Sequence, residues 1–174
     1  MVSNLKVDNI QATGGTATAI SLADDGTSRI EKVPHWKLVH SEAGVNVSSG
    51  SWTEVSLDTA QYDSHNLKIN STIVITSATA GLYHLTGHIR MGNRYINRLI
   101  VKITLGSTDI SQFEGTAGGN GTGAYMSVET NTIHRLSDGD ILKMWVYHDY
   151  GSNVGVLGST QGHESWFSGY RITA

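Results

Sequence analysis

The side chains able to do chemistry in this 174-residue chain are eight histidines, several acidic turn residues and a set of aromatic rings. The chain has no cysteine, so disulfides and thiolate metal sites are excluded. His84 and His88 are separated on a predicted strand by about 13 Å between their Cβ atoms, too far to share one ion. His148 and Asp149 are neighbours in sequence, and neighbouring side chains on a strand point to opposite faces, so the two alone do not form a metal site. We therefore expect no metal and no cofactor.

Two acidic segments invite a catalytic or metal-binding interpretation. Asp138 and Asp140 flank one glycine, close enough for the carboxylate pair of a glycosidase, whose members lie roughly 5 to 9.5 Å apart. Aspartates in turns, however, hydrogen-bond the local backbone. The segment Asp24-Asp25-Gly26 lacks the ligand spacing of an EF-hand, and the chain has no Gly-x-Ser-x-Gly elbow. We therefore predict that the protein is not an enzyme.

The charge pattern excludes two classes of partner. Lys and Arg total 12 against 15 Asp and Glu, for a formal net charge of -3, and no run of basic residues stands out. Nucleic acids and anionic membranes attract clustered positive charge, so neither is an expected partner. No segment approaches the roughly 20 apolar residues that cross a bilayer, and the start has no charged leader before an apolar stretch. We expect a soluble, unprocessed protein.

The composition favours strands over helices. Twenty glycines, a single proline and many Ser, Thr, Val and Ile residues are typical of strands joined by glycine turns. From Gly81 the alternation is clear, with Tyr83 and Leu85 on one face and His84 and His88 on the other. Roughly eight to ten strands are predicted, the number of a sandwich or jelly roll. The chain is therefore predicted to be all-β.

A change of composition near residue 33 divides the chain. Before it, short apolar stretches alternate with small residues, and Asp25-Gly26 supplies the positive φ of a tight hairpin. Pro34, the only proline, precedes Trp36, after which aromatic residues become frequent. We expect an extended arm or hairpin over residues 1–33 and one principal domain over residues 34–174.

Three short motifs occur in an order that a known family shares. They are Ala80-Gly81-Leu82-Tyr83-His84-Leu85, then Leu136 with Gly139-Asp140 and Leu142, and finally Phe167-Ser168-Gly169-Tyr170. Over roughly residues 34–174 the chain thereby resembles the C1q and tumour-necrosis-factor-like family. The resemblance implies a jelly-roll head that assembles as a homotrimer. The positions that carry it are Gly81, Tyr83, Leu85, Leu136, Gly139, Asp140, Phe167 and Gly169.

One predicted strand has an unusually apolar outer face. Ile141, Trp145 and Tyr147 occupy positions that a half-buried strand normally exposes to solvent, and contact between subunits explains them. His148 and Tyr150 extend the aromatic cluster. Exposed rings beside polar groups are what a carbohydrate-binding surface uses, so these two residues are candidate receptor or glycan contacts; packing in the core or between subunits is the alternative.

The beginning of the chain shows a second likeness. Leu5-Lys6-Val7-Asp8-Asn9-Ile10-Gln11, followed by Thr13-Gly14-Gly15 and later Asp25-Gly26, resembles segments that open many tail-fibre and virion proteins of bacteriophages. Cellular C1q-family members usually carry a collagen-like stalk, and no Gly-X-Y repeat is present here. The likenesses imply a structural protein on the exterior of a virion, attached to other virion proteins through residues 1–33.

Three functions stay open at this point. The head of a tail fibre would turn the loops Gly115 to Tyr125 and Tyr150 to Gly162 towards a host surface glycan or protein. A capsid decoration or cement protein would interlock with its neighbours through the arm and bind no receptor. A lectin or a carbohydrate-active enzyme on a jelly-roll scaffold is the third, because a fold alone does not fix function.

Overall fold

A computed structural model describes most of the second half of the chain and parts of the first. It covers residues 33–41, 45–92, 96–116, 125–159 and 164–173, and the backbone of three short strands between residues 9 and 29. The chain divides into two compact units, Met1–Val33 and Pro34–Ala174. Among the described residues, no helix has the length and apolar character needed to cross a membrane.

The first unit contains a small antiparallel sheet. Its strands are β1 (Asn9–Gln11), β2 (Thr18–Leu22) and β3 (Ser28–Arg29), hydrogen-bonded in that order. Ser21 pairs with Arg29, so the two strands of the predicted hairpin do pair. The predicted turn residues Asp25-Gly26 lie outside the described residues.

Two larger sheets make up the second unit. Their strands are β4 (His35–Val39), β5 (Val45–Val47), β6 (Thr53–Glu54), β7 (Thr59–Asp63), β8 (Lys68–Ile69), β9 (Thr72–Val74), β10 (Gly81–Met91), β11 (Leu99–Leu105), β12 (Thr108–Gly115), β13 (Met126–Leu136), β14 (Ile141–His148), β15 (Val154–Val156) and β16 (Trp166–Thr173). Several contain only two or three residues. The described chain therefore has more strands than the roughly eight to ten predicted, although the all-β prediction is confirmed.

The first sheet is organised around β10. It runs β5-β15-β10-β16-β4-β7, and β13 pairs with β10 along its whole length. The second sheet runs β12-β11-β14-β9-β8, with β6 also paired to β14. The sheets face each other, since Gly87 of the first lies against Met144 and Ile103 of the second. Successive side chains thus alternate between the shared core and two outer faces.

The core is centred on the indole ring of Trp36, which lies over Gly169 on the neighbouring strand. Trp36 on β4 is fully buried, and its ring centroid lies 5.4 Å from that of Tyr83 and 5.9 Å from that of Phe167. Gly169 pairs with Trp36 in the ladder between β16 and β4. A Cβ placed on Gly169 would overlap three atoms of the indole. Position 169 therefore has to be glycine for reasons of space.

The other residues of the family resemblance lie in or beside this core. Tyr83, Leu85, Leu136 and Phe167 are buried, and Gly81 opens β10 directly opposite Leu136. These four buried side chains therefore have a packing role.

The turn before β14 is formed by Gly139 and Asp140. Gly139 has a φ of +84°, which favours glycine. The Asp140 carboxylate accepts a hydrogen bond of 2.7 Å from the backbone nitrogen of Ser137, and the Asp140 carbonyl accepts one of 2.9 Å from Ile75. Asp140 thus has the local role of a turn aspartate.

We expect Gly169→Ala to lower the free energy of unfolding by about 3 kcal/mol or more, because the rigid indole cannot make room for a methyl group. Gly87→Ala is the matched control on the same sheet. Its Cβ would meet the Met144 sulfur at 2.9 Å, and this flexible side chain can shift, so we expect a loss of only about 1 kcal/mol. Urea unfolding at one protein concentration measures both. Equal losses would contradict the assigned role of Trp36.

Burial raises the pKa of Tyr83 to about 12, and its hydroxyl donates a 2.5 Å hydrogen bond to the Thr79 carbonyl. Because the folded state holds this proton more tightly than the unfolded chain does, the associated stability is complete below pH 10 and is lost as the pH rises through 12. We expect Tyr83→Phe to remove up to about 3 kcal/mol of the decline over this range. Urea titrations from neutral pH to pH 12 test this; identical pH profiles would contradict it.

Candidate functional site

A row of rings and apolar side chains crosses the outer face of the first sheet. His84 on β10 lies opposite Ile133 on β13 and Tyr170 on β16, and Tyr170 lies opposite His35 on β4. The His84 and Tyr170 ring centroids are 5.3 Å apart. The His35 ring lies 5.5 Å from that of Tyr62, which extends the row onto β7. We call these five residues the Tyr170 face.

Much of the Tyr170 face is open to solvent. The exposed fractions are 51% for Tyr170, 59% for Ile133 and 47% for Tyr62. A shallow hollow of about 310 Å³ lies over His35, Tyr62 and Tyr170. Contiguous exposed apolar groups of this kind mark interaction surfaces on soluble proteins.

The outer face of the second sheet carries three other rings. Trp145 and Tyr147 alternate with buried residues along β14, and Trp52, just before β6, has its ring centroid 5.6 Å from that of Tyr147. The Trp145 indole nitrogen donates a 3.2 Å hydrogen bond to the hydroxyl of Thr104. Trp52 is 37% exposed. We call this surface, with the charged residues between its rings, the Trp52 face.

Each ring of the Trp52 face has a cation against it. The distances from cation to ring centroid are 4.2 Å for Lys102 and Trp52, 5.7 Å for Arg98 and Tyr147, and 5.8 Å for Lys143 and Trp145. The attraction of a cation for the face of a ring holds such pairs in place. The rings of the Trp52 face are therefore interleaved with charge.

Each of these cations is also paired with a carboxylate. The shortest nitrogen to oxygen distances are 2.7 Å for Arg98 and Glu114, 2.9 Å for Lys102 and Asp109, and 2.7 Å for Lys143 and Glu54. Arg98 donates two hydrogen bonds to Glu114, which hold the pKa of that carboxyl below its ordinary value. The net charge of these three ion pairs is therefore zero.

Two shallow basins of about 250 Å³ each share Trp52 as a wall. The first, the Tyr147 basin, is lined by Trp52, Arg98, Ile100, Gln112 and Tyr147. The second, the Trp145 basin, is lined by Trp52, Lys102, Thr104, Gly106, Ser107, Asp109 and Trp145. Both therefore offer an aromatic wall with hydrogen-bonding groups beside it.

The predicted subunit contact residues lie on one strand, as expected. Ile141, Trp145 and Tyr147 all point outwards from β14, and Ile141 is 41% exposed. Trp145 and Tyr147 are only partly exposed because cations and Trp52 cover them. Their role in a subunit contact stays a prediction.

The placement of His148 does not fit a receptor or glycan contact. The side chain is fully buried, Nε2 donates a 2.9 Å hydrogen bond to the Val47 carbonyl, and Nδ1 accepts one of 3.3 Å from the backbone of Tyr150. Alternation along β14 puts it on the core side, away from Tyr147. Tyr150 is partly buried against the core.

Other predicted features fall wholly or partly outside the described residues. The gaps at 117–124 and 160–163 interrupt both glycine-rich loops, and the acidic turn Asp24-Asp25-Gly26 is also outside. Within the described ranges, no group of three His, Asp or Glu side chains is placed to hold a metal ion. His84 and His88 instead lie beside Tyr170 and Trp166.

Sequence reasoning missed the importance of Trp52. No alternating pattern surrounds it, and its neighbours Tyr147 and Lys102 are distant in sequence. The one available signal was a large aromatic residue in the otherwise small and polar stretch 48–54.

The solved structures similar to this chain include tumour-necrosis-factor-like proteins and a complement C1q globular domain. For murine APRIL the match covers 81% of this chain and 100% of the APRIL chain, with a TM-score of 0.61 and 14% sequence identity. For the globular domain of zebrafish complement 1qA the match covers 80% of this chain and 97% of that domain, with a TM-score of 0.52 and 14% sequence identity. For the Eiger TNF of S. frugiperda the match covers 81% of this chain and 92% of that one, with a TM-score of 0.56 and 13% sequence identity.

Sequence comparison adds nothing to these structural similarities. The chain matches no family model and no curated protein. Identities of this size show a shared fold and no more. The predicted fold is confirmed: the chain has the all-β, antiparallel jelly roll of the C1q and tumour-necrosis-factor-like proteins.

Proposed function

We propose that this chain is a non-enzymatic structural protein whose C1q-like head forms a homotrimer on the exterior of a bacteriophage particle. The observation that carries the proposal is the Tyr170 face, a row of half-exposed rings and apolar groups on a head of this fold. A monomer would leave that surface in water, and association removes it.

In this proposal the Tyr170 face forms the contact between subunits, in place of the contact through β14 that the sequence predicted. Its apolar members include Tyr170, Ile133 and Tyr62, which are about half exposed. On the Trp52 face, association would have to desolvate three ion pairs, a cost that buried pairs often fail to recover. Interface cores are rich in aromatic residues and poor in charged ones, which favours the Tyr170 face.

The virion location rests on the beginning of the chain. Residues 5–15 resemble the opening segments of phage tail-fibre and virion proteins, and the sequence has no collagen repeat. In this proposal residues 1–33 attach the head to other virion proteins, and the head meets a host surface. A decoration protein without a receptor is the alternative.

We expect Tyr170→Asp to convert the trimer into a monomer, because the new charge would be buried between subunits. Ile141→Asp is the matched control: this residue is similarly exposed but lies on the other sheet, in the contact predicted from sequence. It should leave the trimer intact. Size-exclusion chromatography with light scattering gives both masses, and circular dichroism checks that each variant is folded.

Two outcomes of that experiment would overturn parts of the proposal. A folded Ile141→Asp monomer beside a trimeric Tyr170→Asp would place the contact on β14, as the sequence suggested. A wild-type monomer at all concentrations would refute the trimer itself.

We expect antibodies raised against the purified chain to label intact phage particles from its source in electron micrographs. Labelling at the tail tip supports a fibre head, and labelling over the capsid supports a decoration protein. Particles without label, and without peptides of this chain in their mass spectra, would contradict a virion location.

A further inference from the structure

We infer that the Trp52 face is a binding site for a neutral glycan. A sugar ring has an apolar C–H surface and a rim of hydroxyl groups, so it needs a flat apolar wall with donors and acceptors beside it. The Trp52 face has this arrangement twice, in the Tyr147 basin and the Trp145 basin.

The indole of Trp52 provides the apolar wall. It is 37% exposed although Tyr147 and Lys102 lie against it, so part of its surface stays open while its position is held. A ring held in advance loses little conformational freedom when a ligand stacks on it. Because Trp52 lines both basins, one bound chain of sugars could occupy both.

The polar groups around Trp52 match the hydroxyl rim of a sugar. Gln112 in the Tyr147 basin offers an amide donor and an amide acceptor, and Arg98 beside it offers further donors. In the Trp145 basin, Asp109 is an acceptor and Ser107 has a hydroxyl that can do either. Each basin therefore has both kinds of partner next to its aromatic wall.

The charge balance of the face selects a neutral ligand. Arg98, Lys102 and Lys143 are each paired with a carboxylate within 2.9 Å. An anionic glycan would have to displace one of these carboxylates or lie beside it. A neutral glycan can bind between the pairs and leave them hydrated.

A broad protein partner fits the same surface less well. It would cover the three ion pairs and desolvate them together. A slender ligand of the size of the basins, about 250 Å³ each, avoids that cost.

The inference that the glycan belongs to a host surface rests on the proposed function. The inference that the Trp52 face binds a neutral glycan does not. It does not depend on where the trimer contact lies. The two ideas can therefore fail separately.

The test is an array of immobilised neutral oligosaccharides of hexose, N-acetylhexosamine and deoxyhexose beside sialylated and sulfated ones, probed with the full chain. We expect binding to neutral members, followed by calorimetric titration of the strongest. Trp52→Ala should weaken affinity about tenfold or more through loss of the stacking surface. Gln112→Ala should also weaken it. Affinity should be unchanged between about 50 and about 500 mM NaCl, since no charge is neutralised.

Phe113→Ala is the matched control. Phe113 is an exposed ring next to Gln112 on β12, pointing to the opposite side of the strand, and its loss should not change the affinity. Binding to no neutral glycan, binding to sialylated or sulfated members alone, or full affinity in Trp52→Ala would each overturn the inference. Light scattering on the same samples separates the two ideas: a trimer that binds no glycan refutes the ligand, and a monomer that binds one refutes the trimer.

Discussion

The indole of Trp36 can lie across β16 only because position 169 has no side chain. From β4 it crosses the neighbouring strand and reaches Tyr83 on β10, while Phe167 packs against its edge. One ring thus joins three strands of the first sheet. Interiors packed to this density have little room for adjustment, so a shift in register between β4 and β16 would bring a side chain against the indole. The outward residues of those strands then have fixed positions as well.

The strand pairings of the two sheets produce two outer faces of different chemistry. On the first sheet they align His84, Tyr170 and His35 into a row with few charges. On the second, the pairing of β14 with β11 brings Trp145 opposite Lys102, so rings and charges alternate. A protein of this fold can therefore associate through one face and keep the other free for a ligand. This division of roles links the packing of the core to the proposed function.

The sequence predicted the core better than the surface. Alternation along β10 assigned Tyr83 and Leu85 correctly, because one residue of slip would turn every side chain to the other face. The strand β12 was overlooked since Thr108–Gly115 is mostly polar and lies at the edge of its sheet. The Trp52 face escaped prediction because it joins residues from separate strands, and only the folded pairing brings them together. His148 was named a candidate receptor or glycan contact because of its aromatic neighbours, although the alternation along β14 places its side chain inside.

In the proposed function this head works as a homotrimer. Sedimentation equilibrium of the full chain over a wide range of concentrations tests it most directly, because the mass follows without any assumption about shape. We expect a particle of three times the 18.7 kDa chain mass that persists on dilution. A particle of 18.7 kDa at every concentration would contradict it, and the Tyr170 face would then need a different partner.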